Sequence, residues 1–346
     1  MNNKCLAIGC ILLFFGTFVT PTIAQDTEKP LPPSRGNWLY VGGSGSYNYT
    51  RIQDAIDDAN NRDTVFVYAY SSPYNEYIIV DKSIDLIGEN MNITVINGSG
   101  NITVVKVTAD SVNISGFTIQ NGGADWNHWY QAGIEIQSKY NTISGNNILD
   151  NCQGIFLKST YGNNKIIDNN IINNYQGIFL FASSNYNCID CNNIKNNHLG
   201  LRISNSDQNT IKGNNIQNNS DCGISLLRGY ENIIIGNNIS NDVNGLNFFV
   251  SFFNTVEYNI ISNNICGLDL FQCGKNNFKR NNFFDNLIQV CSQECERSKF
   301  DSNYWDDWIG NKYELPIFQK FPKIIYGFFY FYIDWYPAKD PYDIRV

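Results

Sequence analysis

The sequence predicts an all-β solenoid, a single-stranded parallel β-helix with coils of about 22 residues, and three observations carry that prediction. Between Asn141 and Ser298 an Asn-Asn-apolar signature recurs, with Ile260 in place of the second Asn in one unit, its apolar residue falling at Ile148, Ile171, Ile194, Ile216, Ile239, Ile261 and Phe283, in steps of 22 or 23. A second marker, a Gly ahead of an apolar residue, keeps nearly the same step at Gly154, Gly177, Gly200, Gly223, Gly245 and Gly267. Within a unit the apolar residues alternate, as Ile155 and Leu157 do around Phe156, which is the period of a strand. A fixed period of this length means that each unit buries its apolar face only against its neighbours. The units carry Ile, Asn and Gly in place of the Leu-dominated frame of a leucine-rich repeat, so a β-helix coil is the unit that fits.

The elements follow in chain order. Met1–Lys4, the apolar run Cys5–Val19 and the small-residue site Thr22-Ile23-Ala24 read as a secretory signal peptide over residues 1–24. The run is shorter than the ~20 residues that span a bilayer, and an uncleaved N-terminal anchor stays open as an alternative. Residues 25–48 are expected to form a linker and first strand, 49–298 the β-helix, and 299–346 a C-terminal cap. Inside the β-helix, Thr50-Arg-Ile-Gln53 matches a capping box, and Ile52, Ala55, Ile56 and Ala59 follow at helical spacing, predicting a capping helix over about 50–60. Irregular coils occupy 64–140 and regular repeats 141–298. The stretch Gly122–Tyr130, with Trp126 and Trp129, is too long for a minimal turn and should project from the stack. The aromatic stretch Phe328–Pro337 is expected to cover the last coil.

Asn, about one residue in seven, explains the turns, because it tolerates the left-handed backbone better than other residues with a Cβ. Stacked at the ~4.8 Å strand spacing, equivalent amides can bond along the column, so Asn147, Asn170, Asn193, Asn215 and Asn238 are expected to form a structural ladder. Cys273 and Cys295, 22 residues apart and in phase, are expected to lie within disulfide reach. Cys222 and Cys266 share a phase two coils apart and are read as buried thiols. Cys188 and Cys191 have the spacing of half a zinc site, but no second pair or His stands at ligand spacing, so no metal site and no cofactor are expected.

Charge narrows the partners. Only 16% of residues are charged, the net charge is −8 and the pI about 4.8, which excludes the Lys/Arg stripe that nucleic acid requires. No segment after the signal is expected to span a membrane, and the protein is placed outside the cytoplasm, secreted or on the cell surface.

The residues Tyr49-Thr-Arg-Ile-Gln-Asp-Ala-Ile56, Asp85-Leu-Ile-Gly-Glu89, the Asn-Asn-Ile coils and the closing Asn303-Tyr-Trp-Asp-Asp-Trp308 with Asp334-Trp-Tyr-Pro337 resemble a known group. They look like the exported archaeal right-handed parallel β-helix proteins of the pectin-lyase-like superfamily, often grouped as NosD-like with a periplasmic protein that assists copper-site maturation of nitrous-oxide reductase. The resemblance covers nearly the whole mature chain and implies a right-handed coil. It implies no single activity, since the superfamily holds lyases, hydrolases, epimerases and proteins without an assigned reaction. A copper role would want soft or imidazole ligands, and the mature chain offers Met91, His128 and His198, far apart in the repeat.

A site is sought on the outer face of the strand after each Gly. Its outward residues are Glu135, Phe156, Phe179, Arg202, Ser225, Asn247 and Asp269, with Gln137, Lys158, Phe181, Ser204, Leu227, Phe249 and Phe271 two positions on. Aromatics that stack on sugar rings beside cations that hold acidic groups make Phe156, Phe179, Phe181 and Arg202, together with Trp126 and Trp129, the candidate ligand-binding residues. Glycoside hydrolysis needs two carboxylates about 5–10 Å apart. Glu135 and Asp269 stand six coils apart, so no catalytic residue is assigned. The function expected is that of a structural or glycan-binding β-helix whose partner is a polysaccharide or cell-surface glycan. A carbohydrate-active enzyme of lyase or hydrolase type, and a copper-handling accessory protein, stand as alternatives.

Overall fold

Each regular coil contributes one strand to each of three sheets. The computed structural model describes residues 36–100, 103–123, 130–159, 162–309, 321–327 and 331–345. One coil runs Thr142–Ser144, Asn147–Leu149, Gln153–Lys158, and the next Lys165–Ile167, Asn170–Ile172, Gln176–Phe181. The pairing is parallel, with Ile143 opposite Ile166, Ile148 opposite Ile171 and Ile155 opposite Ile178. Among the described residues the first sheet has 14 strands and the second and third have 10 each. The coils follow the right-handed sense that parallel crossovers take.

Identical residues stack because the step between coils equals the sequence period. The Ile columns are fully buried, each side chain contributing about 1.5–3 kcal/mol of burial. Toward the C-terminus the columns change to rings, and Phe278 stacks on Phe300 at 4.8 Å and Phe283 on Trp305 at 4.4 Å. The repeated Gly has a steric cause: a Cβ at Gly154 would stand 2.4 Å from Gly177 O, and one at Gly177 would stand 2.5 Å from Gly200 O.

Three buried columns of amides close the corners. In the column Asn146, Asn169, Asn192, Asn214, Asn237, Asn259, Asn281 and Asn303, each member gives both its backbone N–H and its Nδ2 to the Oδ1 of the next, as Asn169 does to Asn192 at 3.0 and 3.1 Å. The columns through Asn141 and Asn164, and through Asn151 and Asn174, repeat the pattern at the other corners. Each amide satisfies backbone groups that a sharp turn would otherwise leave unpaired in the interior. The ladder expected along Asn147, Asn170, Asn193, Asn215 and Asn238 lies on the outer surface, linked by side-chain bonds of 2.8–3.3 Å. The left-handed positions belong to a different Asn, such as Asn173 (φ 57°) and Asn196 (φ 56°), which directly precede the buried amides Asn174 and Asn197.

The N-terminal helix, Ile52–Asp58, buries Ile52, Ala55 and Ile56 over the first coils. Its cap differs from the sequence expectation. The N-cap is Arg51 and no side chain of the Thr50–Gln53 segment caps it. Glu76 does so from the coil below, its carboxylate accepting the N–H groups of Ile52 (2.9 Å) and Gln53 (3.2 Å). A carboxylate there satisfies two orphan donors and complements the helix dipole.

At the other end, Phe331–Asp334 adds to the first sheet beside Lys299–Asp301 and pairs antiparallel with Lys323–Tyr326. Asp334 is fully buried and accepts from Ser302 N–H, Asn303 N–H, Asn303 Nδ2 and Trp305 Nε1 at 2.9–3.1 Å.

Candidate functional site

The third sheet has the longest strands of a coil, and its outer face carries the two columns expected from the sequence. Register places Glu135, Phe156, Phe179, Arg202, Ser225, Asn247, Asp269 and Cys291 in one column. Lys158, Phe181, Ser204, Leu227, Phe249, Phe271 and Gln293 form the other.

The N-terminal half of this face is closed. Phe156 is 0% and Phe179 3% exposed, and the two rings stack at 5.2 Å in a small apolar cluster outside the solenoid core, with Phe181 packed against it. The Arg202 guanidinium lies over Phe179 at 5.4 Å, and burial lowers its pKa. Phe156 and Phe179 therefore present no free ring face. Only Phe181 and Arg202 of the described candidates are partly exposed. Trp126 and Trp129 lie outside the described residues.

The C-terminal half is open. Phe249, 39% exposed, stacks on Phe271 at 5.1 Å with planes 8° apart. Beside the rings, Asn247 Nδ2 donates to Asp269 Oδ2 at 2.9 Å. Burial raises the Asp269 pKa, and the Asn247 bond opposes that shift. These groups line a groove of about 540 Å³, closed on its far side by Cys291, Ser292, Gln293, Tyr326 and Gly327. The groove thus joins a flat aromatic platform to a hydrogen-bonded acid–amide pair. Phe249, Phe271, Asn247 and Asp269 were visible in sequence as columns; which half of the face is open depends on what packs over it.

A second aromatic surface escaped the sequence reading. On the outer face of the first sheet, Trp38, Tyr40, Phe66 and Tyr68 form a chain of ring contacts with centroids 5.1–6.2 Å apart. Tyr40 and Tyr68, with Asn48, Tyr70 and Glu89, line a groove of about 790 Å³. The signal was the alternation Trp38-Leu-Tyr40 and Phe66-Val-Tyr68.

Among the described residues, Cys188, Cys191, Cys222, Cys266, Cys273, Cys291 and Cys295 are free thiols. Cys273 and Cys295, the pair expected to bridge, are neighbours in one column, with Cys273 N–H donating to Cys295 Sγ at 3.1 Å. Cys266, expected as a buried thiol, lies 2.8 Å from Cys291, sulfur to sulfur. Among the described residues no three His, Cys, Asp or Glu side chains converge on a point where they could hold a metal ion. No described helix is long and apolar enough to cross a membrane.

Solved structures share this architecture. The Dettilon tailspike protein gp208 is similar with a TM-score of 0.63 and 14% identity, over 78% of this chain and 62% of that one. XylC in complex with xylose gives 0.62 and 12%, over 76% and 70%. The A-module of the mannuronan C-5 epimerase AlgE4 of Azotobacter vinelandii gives 0.54 and 14%, over 71% and 89%. The chain spans less than two thirds of the tailspike, and at these identities the likeness is one of fold. No curated protein matches the chain at a significant level. A family profile described as periplasmic copper-binding protein (NosD) matches residues 56–245. That match takes in more than half of the chain, a parallel β-helix, and the chain belongs to the NosD family.

Proposed function

We propose that the protein is exported and binds a polysaccharide or cell-surface glycan along the outer face of its third sheet. The observation that carries this reading is the open groove in which the Phe249–Phe271 platform adjoins the Asn247–Asp269 pair. A sugar ring offers an apolar C–H face and a rim of hydroxyls, and the groove supplies a surface for each. The periplasmic description of the family supports export. Two structural neighbours, XylC in complex with xylose and a mannuronan C-5 epimerase module, agree with a saccharide partner. The groove lining includes one carboxylate, Asp269, where glycoside hydrolysis uses two, and this favours binding over cleavage.

The copper role in the family's description fits these residues poorly. Copper wants a converging set of soft or imidazole donors, and no such set of three is formed by the described side chains. The fold alone does not carry that role to this chain.

The test is retention of the mature protein on immobilised neutral and acidic polysaccharides. Phe249→Ala and Phe271→Ala should each weaken binding roughly tenfold, the loss of one stacking platform, with the melting temperature unchanged. Retention that is absent across the panel, or indifferent to both substitutions, overturns the reading. Loss of retention on Tyr40→Ala alone would place the glycan on the first sheet and overturn the groove assignment.

A further inference from the structure

The four thiols of the last two complete coils occupy two different environments. Cys273 and Cys295 continue a column of hydroxyls. Ser184 N–H donates to Ser206 Oγ and Gly229 N–H to Ser251 Oγ, both at 3.1 Å, and Cys273 N–H donates to Cys295 Sγ at the same distance. Cys273 Sγ then donates to Phe248 O at 3.1 Å, as Ser251 Oγ does to Leu226 O at 3.2 Å. At this corner sulfur performs the structural task of a serine oxygen.

Cys266 and Cys291 stand outside that column, Cys266 Sγ lying 3.4 Å from Leu268 O of its own strand. Cys266 is stacked between Asn244 and Ile288, and Cys291 follows Asp269 in the groove column. Their sulfurs nevertheless stand 2.8 Å apart across two neighbouring coils, against ~2.05 Å in a disulfide. Cys266 is 4% exposed, whereas Cys291 is partly exposed and lines the groove. One thiol is reachable from solvent and the other lies directly behind it.

We propose that Cys266 and Cys291 are a dithiol that is oxidised to a disulfide by an organic disulfide carrier, crosslinking the last two rungs of the third sheet. Cys291 is the entry thiol. The hydrogen bond from Cys266 lowers its pKa, while the same bond and, after it, burial raise that of Cys266. The Cys291 thiolate attacks one sulfur of the carrier disulfide, forming a mixed disulfide and releasing the first carrier thiolate, which takes up a proton. Cys266 gives up its proton and attacks Cys291 Sγ, and the second carrier thiolate leaves and is protonated. Two protein thiols have become one disulfide, and the carrier disulfide has become two thiols. The new bond lies at the end wall of the groove and ties the final rung, whose Leu287 and Ile288 are exposed, to the coil before it.

The experiment uses the full mature chain equilibrated with oxidised glutathione, alkylated before any reductant is added, digested and mapped by mass spectrometry. The peptides carrying Cys266 and Cys291 are expected as one linked species, lighter than the two thiol peptides by two hydrogens and separated by dithiothreitol. In Cys266→Ser, Cys291 should accumulate the glutathione mixed disulfide, which the wild type resolves. Alkylation of both residues in the oxidised wild type overturns the proposal, as does a link from either one to another cysteine. Because the decisive readout is taken on the unmodified sequence, a folding defect in the variant cannot mask it, and glycan retention does not enter it.

Discussion

Asp242 stands where every neighbouring coil has an amide, and Asn219 gives it both donors of that rung: Asn219 N–H at 2.6 Å and Nδ2 at 3.0 Å reach the same oxygen, Oδ1. The other oxygen, Oδ2, is buried without a hydrogen-bond partner. Two coils earlier Asn197 Nδ2 donates to Ile171 O, and one coil later Asn264 Nδ2 donates to Ile239 O. At Asp242 an ionised carboxylate would turn an acceptor toward the place where its neighbours present a donor.

Burial accordingly raises the Asp242 pKa from 3.8 to about 8. The sign follows directly: the folded state keeps the proton up to about 8, while the unfolded chain releases it near 3.8. Stability linked to this group is complete below the unfolded value and is lost as pH rises through the folded one, with a slope of up to ~1.4 kcal/mol per pH unit. Urea midpoints should therefore fall between pH 4 and 8 by more in the wild type than in Asp242→Asn. Equal slopes in the two proteins would show that Asp242 does not carry its proton.

The helix cap provides a second test. Removing the Glu76 carboxylate in Glu76→Ala strands two N–H groups of the capping helix and should cost about 1–2 kcal/mol, whereas Thr50→Ala should cost almost nothing. Hydrogen exchange at Ile52 and Gln53 reads the difference locally.

Adjacent asparagines should behave differently. Asn192→Ala leaves the buried Ile166 O and the part-buried Asp190 O without the amide donor they now have, and should cost about 1–3 kcal/mol. Asn193→Ala removes outer-surface bonds that water replaces, and should stay within about 0.5 kcal/mol. Comparable losses in the two variants would contradict the assignment of inner and outer ladders.

On the third sheet, Phe156→Ala should lower the melting temperature, since a ring with no exposed surface leaves a cavity costing about 3–5 kcal/mol. Phe249→Ala should leave the melting temperature nearly unchanged and act on glycan retention instead. Thermal scans beside the retention assay separate the two halves of the face.

The sequence made the coil legible because in a solenoid the spatial repeat and the sequence repeat are one number: Ile148 lies opposite Ile171 and Gly154 abuts Gly177. It was less able to say which Asn of a pair turns inward. Asn146 and Asn147 differ by one residue, the smallest step the period can resolve, and the inner ladder fell to Asn146. The Glu76 cap was hidden because its partners are 23 and 24 residues away. Cys266 and Cys291 were missed for a related reason. They differ by 25 residues, out of phase with the coil, and only side-chain direction brings the sulfurs together. The closed half of the outer face depends on how Ala132, Phe156, Phe179, Phe181 and Arg202 pack against one another, which column arithmetic does not contain.

The contacts of Asp334 give the molecule a direction. Every rung of the inner column through Asn146 passes its backbone hydrogen and one amide hydrogen to the next coil toward the C-terminus, so that column is a one-way relay with unlike ends. The first acceptors of the three columns, Asn141, Asn146 and Asn151, take hydrogens from the ordinary backbone of Val112, Phe117 and Gly122. The relay through Asn146 needs at its far end a group that receives without having an amide hydrogen to pass on, and Asp334 receives from Asn303 there. Duplication of one whole unit would therefore lengthen the body while leaving both ends of that relay chemically as they are.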